Sequence, residues 1–300
     1  MSIKRIGILT SGGDCPGLNA VIRAVVRAGE SEGWEVLGFH NGFEGLLSPV
    51  SYEVLNKART SGIMHQGGTI LGTTNKGRFV AKVRGGERSA LDPDVVDEAS
   101  NTMKEHDVDA LITVGGDGSL STSLQLFKAG FPVIGVPKTI DNDLEATAMT
   151  FGFDSAVACV ADSLDRLHTT ATSHQRIMVL EVMGRHAGWI ALYGGLAGGA
   201  DVILIPEIPF HFDRMCKFIQ QRIDEGCRST MVVVAEGAAP ASGKKMMQET
   251  QSGEYRLGGI GDIVGREISK NIDREVRTCV LGHLQRGGAA TPLDRILGTR

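Results

Sequence analysis

Short, nearly continuous Val/Ile/Leu runs alternate along this chain with longer stretches whose apolar residues recur at helical spacing. Arg5–Thr10 (RIGILT) is the first apolar run, and residues 17–31 then place Leu18, Val21, Ile22, Val25 and Val26 on one face of a predicted helix. Glu35–Phe39, Ala110–Val114, Pro132–Val136, Ile177–Val182, Val202–Ile205, Met231–Val234 and Thr278–Leu281 read as further strands, with helical patterns such as 154–168 and 211–225 between them. Strands without polar alternation are those covered on both faces. The alternation therefore predicts a doubly wound α/β architecture with mainly parallel sheets, in two lobes. Ligands collect beyond the carboxyl ends of such strands. The unusual polar clusters fall there: GGD at 12–14, GGDGS at 115–119, KTIDND at 138–143, MGR at 183–185, EG at 236–237 and GHLQRGG at 282–288.

Composition narrows the partners. With 31 basic against 35 acidic residues and a formal charge of -4, nothing suggests a nucleic-acid or membrane surface. The longest uncharged apolar stretch, AGWIALYGGLAGGA at 187–200, is glycine-broken and too short to cross a bilayer. The opening MSIKRIGILTSGGD breaks off before a secretory core could form. Five scattered cysteines without a CxxC pair fit a reducing cytoplasm and argue against a disulfide framework or a zinc site. Forty glycines in 300 residues is nearly double the usual share of roughly 7%. The pairs at 12–13 and 115–116 matter most, because each follows a strand pattern and opens a helical one. Ala239–Tyr255 is the most polar stretch and reads as a surface loop.

At GGDGS a buried strand runs into Gly115, Gly116, Asp117 and Gly118, with Ser119 an N-cap candidate for the next helix. Glycines admit a phosphate close to the backbone, and a helix start offers free N–H donors. A carboxylate in that setting would repel the ligand unless a cation intervened, so Asp117 points to Mg2+ held largely through water. The alternative is a tight turn with a solvent-facing aspartate. Gly12-Gly13-Asp14 offers a second cradle of the same construction. In KTIDND an extended chain would aim Thr139, Asp141 and Asp143 to one side, and phosphoryl transfer to a hydroxyl needs a carboxylate base and neutralising cations. Asp141 or Asp143 can be that base, Thr139 a hydrogen-bonding partner, and Asn142 reads as turn chemistry. Arg176, Arg185, Arg277, His283 and Arg286 suit a second anion. Arg176 precedes its strand and would lie at the opposite sheet edge, which suggests a site completed by a neighbouring chain.

The motifs TSGGDCPGLNAVIR, GGDGS, PKTIDND, SHQR, EVMGR, AEG and LGHLQRGG occur in an order and spacing that resemble the 6-phosphofructokinase family from near residue 3 to residue 300. GGDG alone is shared with NAD kinases and diacylglycerol kinases. The resemblance implies two Rossmann-like lobes with the active site in the cleft between them, expected as residues 1–152 with 285–300 returning, and residues 153–284. It also implies a C-terminal extension beyond residue 300 that this sequence lacks. The implied reaction moves a phosphoryl group from ATP, with Mg2+, to the 1-hydroxyl of fructose 6-phosphate. Asp141 matches the catalytic base and Asp117 the magnesium aspartate. Gly13 and Gly118 match nucleotide contacts, with Gly116 and Ser119 beside them, and Thr139 and Asp143 match substrate contacts. Met183, Gly184 and Arg185 match the sugar-binding turn, Arg185 also aiding the transferring group, and Glu236 matches a sugar-hydroxyl acceptor. His283 and Arg286 match 6-phosphate ligands of the same subunit, and Arg176 and Arg277 those of a neighbour, which implies a homodimer or homotetramer.

Lys138 departs from the common ATP-using bacterial pattern, which has glycine there. Pyrophosphate-dependent relatives carry lysine at this place together with an aspartate after the magnesium aspartate. This chain combines Lys138 with Gly118, as the mixed-substrate branch does. ATP is the expected donor and pyrophosphate the alternative; an NAD-kinase-like enzyme and a non-catalytic regulatory subunit are more distant readings. Thr73-Thr74-Asn75-Lys76 replaces a segment where an arginine is usual, leaving Lys76 to supply the charge. Arg23 and Arg27 match regulatory arginines, but His168 stands where another is usual, which argues against control by ADP and phosphoenolpyruvate.

Overall fold

A computed structural model of the chain describes residues 3–74, 76–79, 83–84, 87–88, 90–145, 147–241, 247–249, 255–257 and 259–300. They group into two compact units: Met1–Ile140 with Leu144–Gly152 and Arg286–Arg300, and Asp141–Asp143 with Phe153–Gln285.

The first unit runs β1 (Arg5–Thr10), α1 (Leu18–Ser31), β2 (Glu35–Phe39), β3 (Tyr52–Leu55), β4 (Val83–Arg84), β5 (Glu87–Arg88), α2 (Pro93–Glu105), β6 (Ala110–Gly115), α3 (Asp117–Lys128), β7 (Val133–Thr139) and β8 (Phe151–Gly152). β4 and β5 form a small antiparallel hairpin. The other strands form one sheet in the order β3-β2-β1-β6-β7-β8, parallel except where β3 pairs with β2. β1 is central, with Ile8 and Leu9 fully buried, and α1 covers it with Leu18, Val21, Ile22 and Val26. Each such side chain contributes roughly 1.5–3 kcal/mol of burial. From β1 the chain passes to β2 on one side and returns at β6 on the other, so strand order reverses between the ends of β1 and β6.

The second unit runs α4 (Phe153–His174), β9 (Ile177–Val182), α5 (Trp189–Ala197), β10 (Val202–Leu204), α6 (Phe212–Asp224), β11 (Thr230–Ala235), β12 (Met247–Glu249), β13 (Tyr255–Leu257), α7 (Ile260–Asn271) and β14 (Val276–Val280). Its four-stranded sheet, β10-β11-β9-β14, is parallel throughout. β9 and β11 are buried along their whole length, as continuous apolar runs should be. The chain leaves β9 toward β10 and comes back to β14 on its other side, giving a second reversal. α8 (Pro292–Thr299) returns to the first unit and packs on α1. The architecture is the expected α/β type with mainly parallel sheets.

One expectation changes. Ala239–Tyr255 lies largely outside the described residues, but where it is described it is not all loop: Met247–Glu249 pairs antiparallel with Tyr255–Leu257. The apolar segment near 190 forms the helix α5 despite its glycines. Their missing side chains allow close packing, since a Cβ at Gly194 would come within 2.6 Å of Val160 and one at Gly195 within 2.8 Å of Ile203. Among the described residues no helix is long and apolar enough to cross a membrane.

Candidate active site

The reversal of the first sheet places the turn after β1 beside the turn after β6, and Ser11 N–H donates to Val114 O at 2.8 Å. Gly12 takes the left-handed conformation, φ +81°, which glycine adopts without strain. Gly115 must be glycine for space, because a Cβ there would lie 2.3 Å from the Ser119 side chain and 3.1 Å from Ser11 O. A cavity of about 200 Å³ opens here, lined by Gly12, Gly13, Gly116, Gly118, Ser119, Lys138, Thr139 and Arg286. Glycines and a helix start supply backbone donors, and two cations face them: the construction of a polyphosphate cradle.

Lys138 is 4% exposed, and its Nζ donates to Gly13 O. Arg286 Nη1 donates to Asp14 O at 3.1 Å and lies against Gly13, where a Cβ would come within 2.8 Å of it. Arg286, which the resemblance assigns to the sugar 6-phosphate, thus lines the glycine cradle of the first unit. Thr73 Oγ1 donates to Gly12 O at 2.7 Å and Gly12 N–H to Thr74 O at 3.1 Å, tying the 73–76 segment to the cradle. Lys76 is exposed and is not among the residues lining the cavity; Asn75 lies outside the described residues. Cys15 is buried near Lys138, and burial pushes its thiol up to about 12, which makes it packing rather than a nucleophile.

Ser119 is not the N-cap. Gly116 occupies that position without a side-chain cap bond, α3 starts at Asp117, and Ser119 is a buried residue of its first turn. Asp117 is exposed at the helix start. Among the described residues no group of three or more His, Cys, Asp or Glu could enclose a metal. A single carboxylate beside a phosphate cradle suits Mg2+, which keeps water and phosphate oxygens as its other ligands.

The alternation expected for Thr139, Asp141 and Asp143 is interrupted. β7 ends at Thr139, and Asn142 turns into the left-handed region at φ +48°, so the chain is not extended through 143. Asp141–Asp143 group with the second unit. There Asp141 acts electrostatically on Glu236, and Asp143 is exposed.

After β9, Met183, Gly184 and Arg185 form a tight turn in which Gly184 has φ +136°. Glu236 follows β11; its N–H donates to Val182 O at 2.8 Å, and Gly237 N–H donates to Gly184 O at 3.0 Å. Burial pushes the Glu236 carboxyl above its ordinary value, and the charges of Asp141 and Glu181 add to this. A backbone bond from Gly184 and the charge of Arg185 offset part of it. A turn, an arginine and converging carboxylates can hold and deprotonate a polyol.

Arg176 and Arg277 are brought together elsewhere. Arg176 Nε meets Glu275 Oε2 at 2.5 Å, and Arg277 pairs with the other oxygen of the same carboxylate. They flank the starts of β9 and β14, opposite the ends that carry Met183 and His283. His283 is exposed in the helical turn Gly282–Arg286.

Comparison with known proteins identifies the family. The phosphofructokinase family model matches residues 5–300. The chain belongs to the phosphofructokinase family. It is 57% identical over 297 residues to an ATP-dependent 6-phosphofructokinase of Chloroflexus aurantiacus, covering 99% of this chain and 82% of that one. It is 48% identical over 300 residues to a pyrophosphate–fructose 6-phosphate 1-phosphotransferase of Amycolatopsis mediterranei, covering 99% and 84%. Among solved structures, a phosphofructokinase of Pichia pastoris superposes with a TM-score of 0.83 at 33% identity, covering 100% of this chain and 31% of that longer one.

Two polar residues inside the phosphofructokinase motifs attract no notice in the sequence. Glu181, in EVMGR, is 3% exposed and accepts from Gly259 N–H at 3.1 Å and Gly261 N–H at 2.7 Å, holding the start of α7. Burial raises its carboxyl, those two bonds lower it, and Asp262 raises it again. Gln285, in LGHLQRGG, is fully buried. A polar residue inside an apolar run was the signal for the first; an uncharged amide gave none for the second.

Proposed function

We propose that this chain phosphorylates fructose 6-phosphate at its 1-hydroxyl, with ATP as donor. The observation that carries the reading is the glycine cradle at the reversal of the first sheet, with Gly118 on its wall and Lys138 buried beside it. The 57% identical ATP-dependent relative supports it. In the first unit, Gly12, Gly13 and Gly116 bring backbone close to the donor's phosphates, and Gly118 leaves room for what lies beyond them. Lys138 and Arg286 balance their charge. Asp117 would hold Mg2+, which when bound neutralises charge on the transferring group. In the second unit, Asp141 takes the proton of the 1-hydroxyl, Glu236 accepts from a sugar hydroxyl, and the Met183–Arg185 turn orients the ring. Arg185 also offers its fork to the transferred group. Thr139 and Asp143 add hydrogen bonds, His283 binds the 6-phosphate, and Lys76 serves donor charge from the cradle's rim.

Arg176 and Arg277, at the far end of their strands, would serve the 6-phosphate of a neighbouring copy, so the working enzyme is a homo-oligomer. The reading places it in the cytoplasm.

Pyrophosphate is the second reading, favoured by Lys138 at the cradle and by the 48% identical pyrophosphate-dependent relative. Initial rates with ATP and with pyrophosphate, on one preparation with Mg2+ and fructose 6-phosphate, decide between them. A clear preference for ATP is expected; a preference for pyrophosphate would reverse the donor assignment, and inactivity of folded protein with both would remove the function.

A further inference from the structure

β9 and β14 are adjacent parallel strands whose register ends at Val280↔Glu181, after which Leu281 N–H still donates to Glu181 O at 3.0 Å. Beyond that point the ladder stops. The strands leave the sheet as two turns, Met183–Arg185 and the helical turn that carries His283. A buried side chain takes over where the backbone pairing ends. Gln285 Oε1 accepts from Met183 N–H at 3.2 Å, and Gln285 Nε2 donates to Gly282 O at 3.0 Å. At 0% exposure the amide is out of reach of water, and both of its bonds are to protein. Gly282 is itself in the left-handed region at φ +49°, so its carbonyl direction is a local choice that the amide helps to fix. The neutral amide accepts from one turn and donates to the other; an ionised carboxylate of the same length loses the donor, and a thioether loses the donor and most of the acceptor.

We propose that Gln285 is a positioning residue for the sugar phosphate: its amide sets the distance between the turn that orients the ring and the turn that presents His283. This rests on the substrate reading given above. The Glu236 carboxylate also holds the first turn, through Gly184 N–H, but the Gln285 amide joins that turn to the second, so losing it changes the span between two contacts with one ligand. Binding of a ligand that bridges both turns weakens most, while the donor cradle is reached through Arg286, the next residue of the same helical turn, with a smaller effect.

The test compares Gln285→Met, of similar length, and Gln285→Glu, which keeps an acceptor for Met183, with Gln221→Met on the exposed face of α6 as control. Gln285→Met is expected to raise KM for fructose 6-phosphate about tenfold or more, with a clearly smaller rise in KM for ATP, and Gln285→Glu to raise the fructose 6-phosphate KM less. Amide exchange at Met183 should quicken in Gln285→Met and stay nearer to wild type in Gln285→Glu, which keeps the acceptor. The control should match wild type. A fructose 6-phosphate KM within twofold of wild type in Gln285→Met, or an equal rise for both substrates, would overturn the proposal. If Gln285→Met does not fold, Gln285→Glu decides by the same criteria. Wild-type protein that ignores fructose 6-phosphate would strike the proposed function instead, and the Met183 exchange reads the positioning without any turnover.

Discussion

Both units carry a mainly parallel sheet with a reversal of strand order, and they furnish the turns beyond it in opposite ways. The first is made of absence: Gly12, Gly13, Gly115, Gly116 and Gly118 strip side chains from two adjoining turns, and two cations supply the charge. The second is made of side chains. Glu181, Glu236 and Asp141 concentrate negative charge around one glycine turn, and a buried amide binds that turn to its neighbour. A polyphosphate is recognised through backbone donors and space, which any added Cβ removes. A sugar is recognised through individually placed acceptors, each of which matters by its charge. Substitutions should therefore separate into those that change donor use and those that change acceptor chemistry.

The largest effect belongs to Asp141. Asp141→Asn should lower kcat by roughly 10²–10⁴-fold and leave the KM for ATP close to wild type, in steady-state kinetics. Undiminished turnover would place the base elsewhere. Next, Gly118→Asp should abolish use of ATP while sparing pyrophosphate, because the new carboxylate enters the cavity wall where a nucleotide extends. Survival of ATP activity would end the steric account of that position. In the second crevice, Gly184→Ala forces a Cβ at φ +136° to within 2.8 Å of Ala187 O. A strain of about 1–3 kcal/mol should appear as a raised KM for fructose 6-phosphate alone. If ATP is affected equally, the two crevices are not separable as described.

The smallest effect is a pH dependence. Glu236 has its folded value raised above the ordinary 4.5, so the folded state holds this proton more tightly than the unfolded one. Its contribution to stability is then greatest below 4.5 and is lost as pH rises through the raised value. Glu236→Gln removes that loss, so the variant should gain stability relative to wild type between mildly acidic and neutral pH, read by denaturant titration. A difference that stays constant with pH would contradict the burial of this carboxyl.

Much of this was legible in the residues. RIGILT and IMVLEV announce themselves because strands covered on both faces cannot carry polar alternation, and the glycine turns that follow them mark the crevices. Tyr52–Leu55 was not legible: as an edge strand it leaves Tyr52 and Val54 exposed and shows no continuous run. α5 was hidden because glycine disfavours helix locally, and only the tight packing on Val160 and Ile203 shows why it is there. In KTIDND the residue types were informative while the assumed extended geometry was not, since Asn142 turns the chain between the two aspartates. Glu275, which gathers Arg176 and Arg277, could not be seen without the fold, because β9 and β14 are far apart in sequence and adjacent only in the sheet.

The central claim is that this chain moves a phosphoryl group onto the 1-hydroxyl of fructose 6-phosphate. Phosphorus NMR of wild-type protein with fructose 6-phosphate, Mg2+ and ATP tests it most directly. The account predicts new phosphate resonances of fructose 1,6-bisphosphate in step with ADP. Folded protein that yields ADP without a new sugar phosphate, or no reaction with either ATP or pyrophosphate, would contradict it.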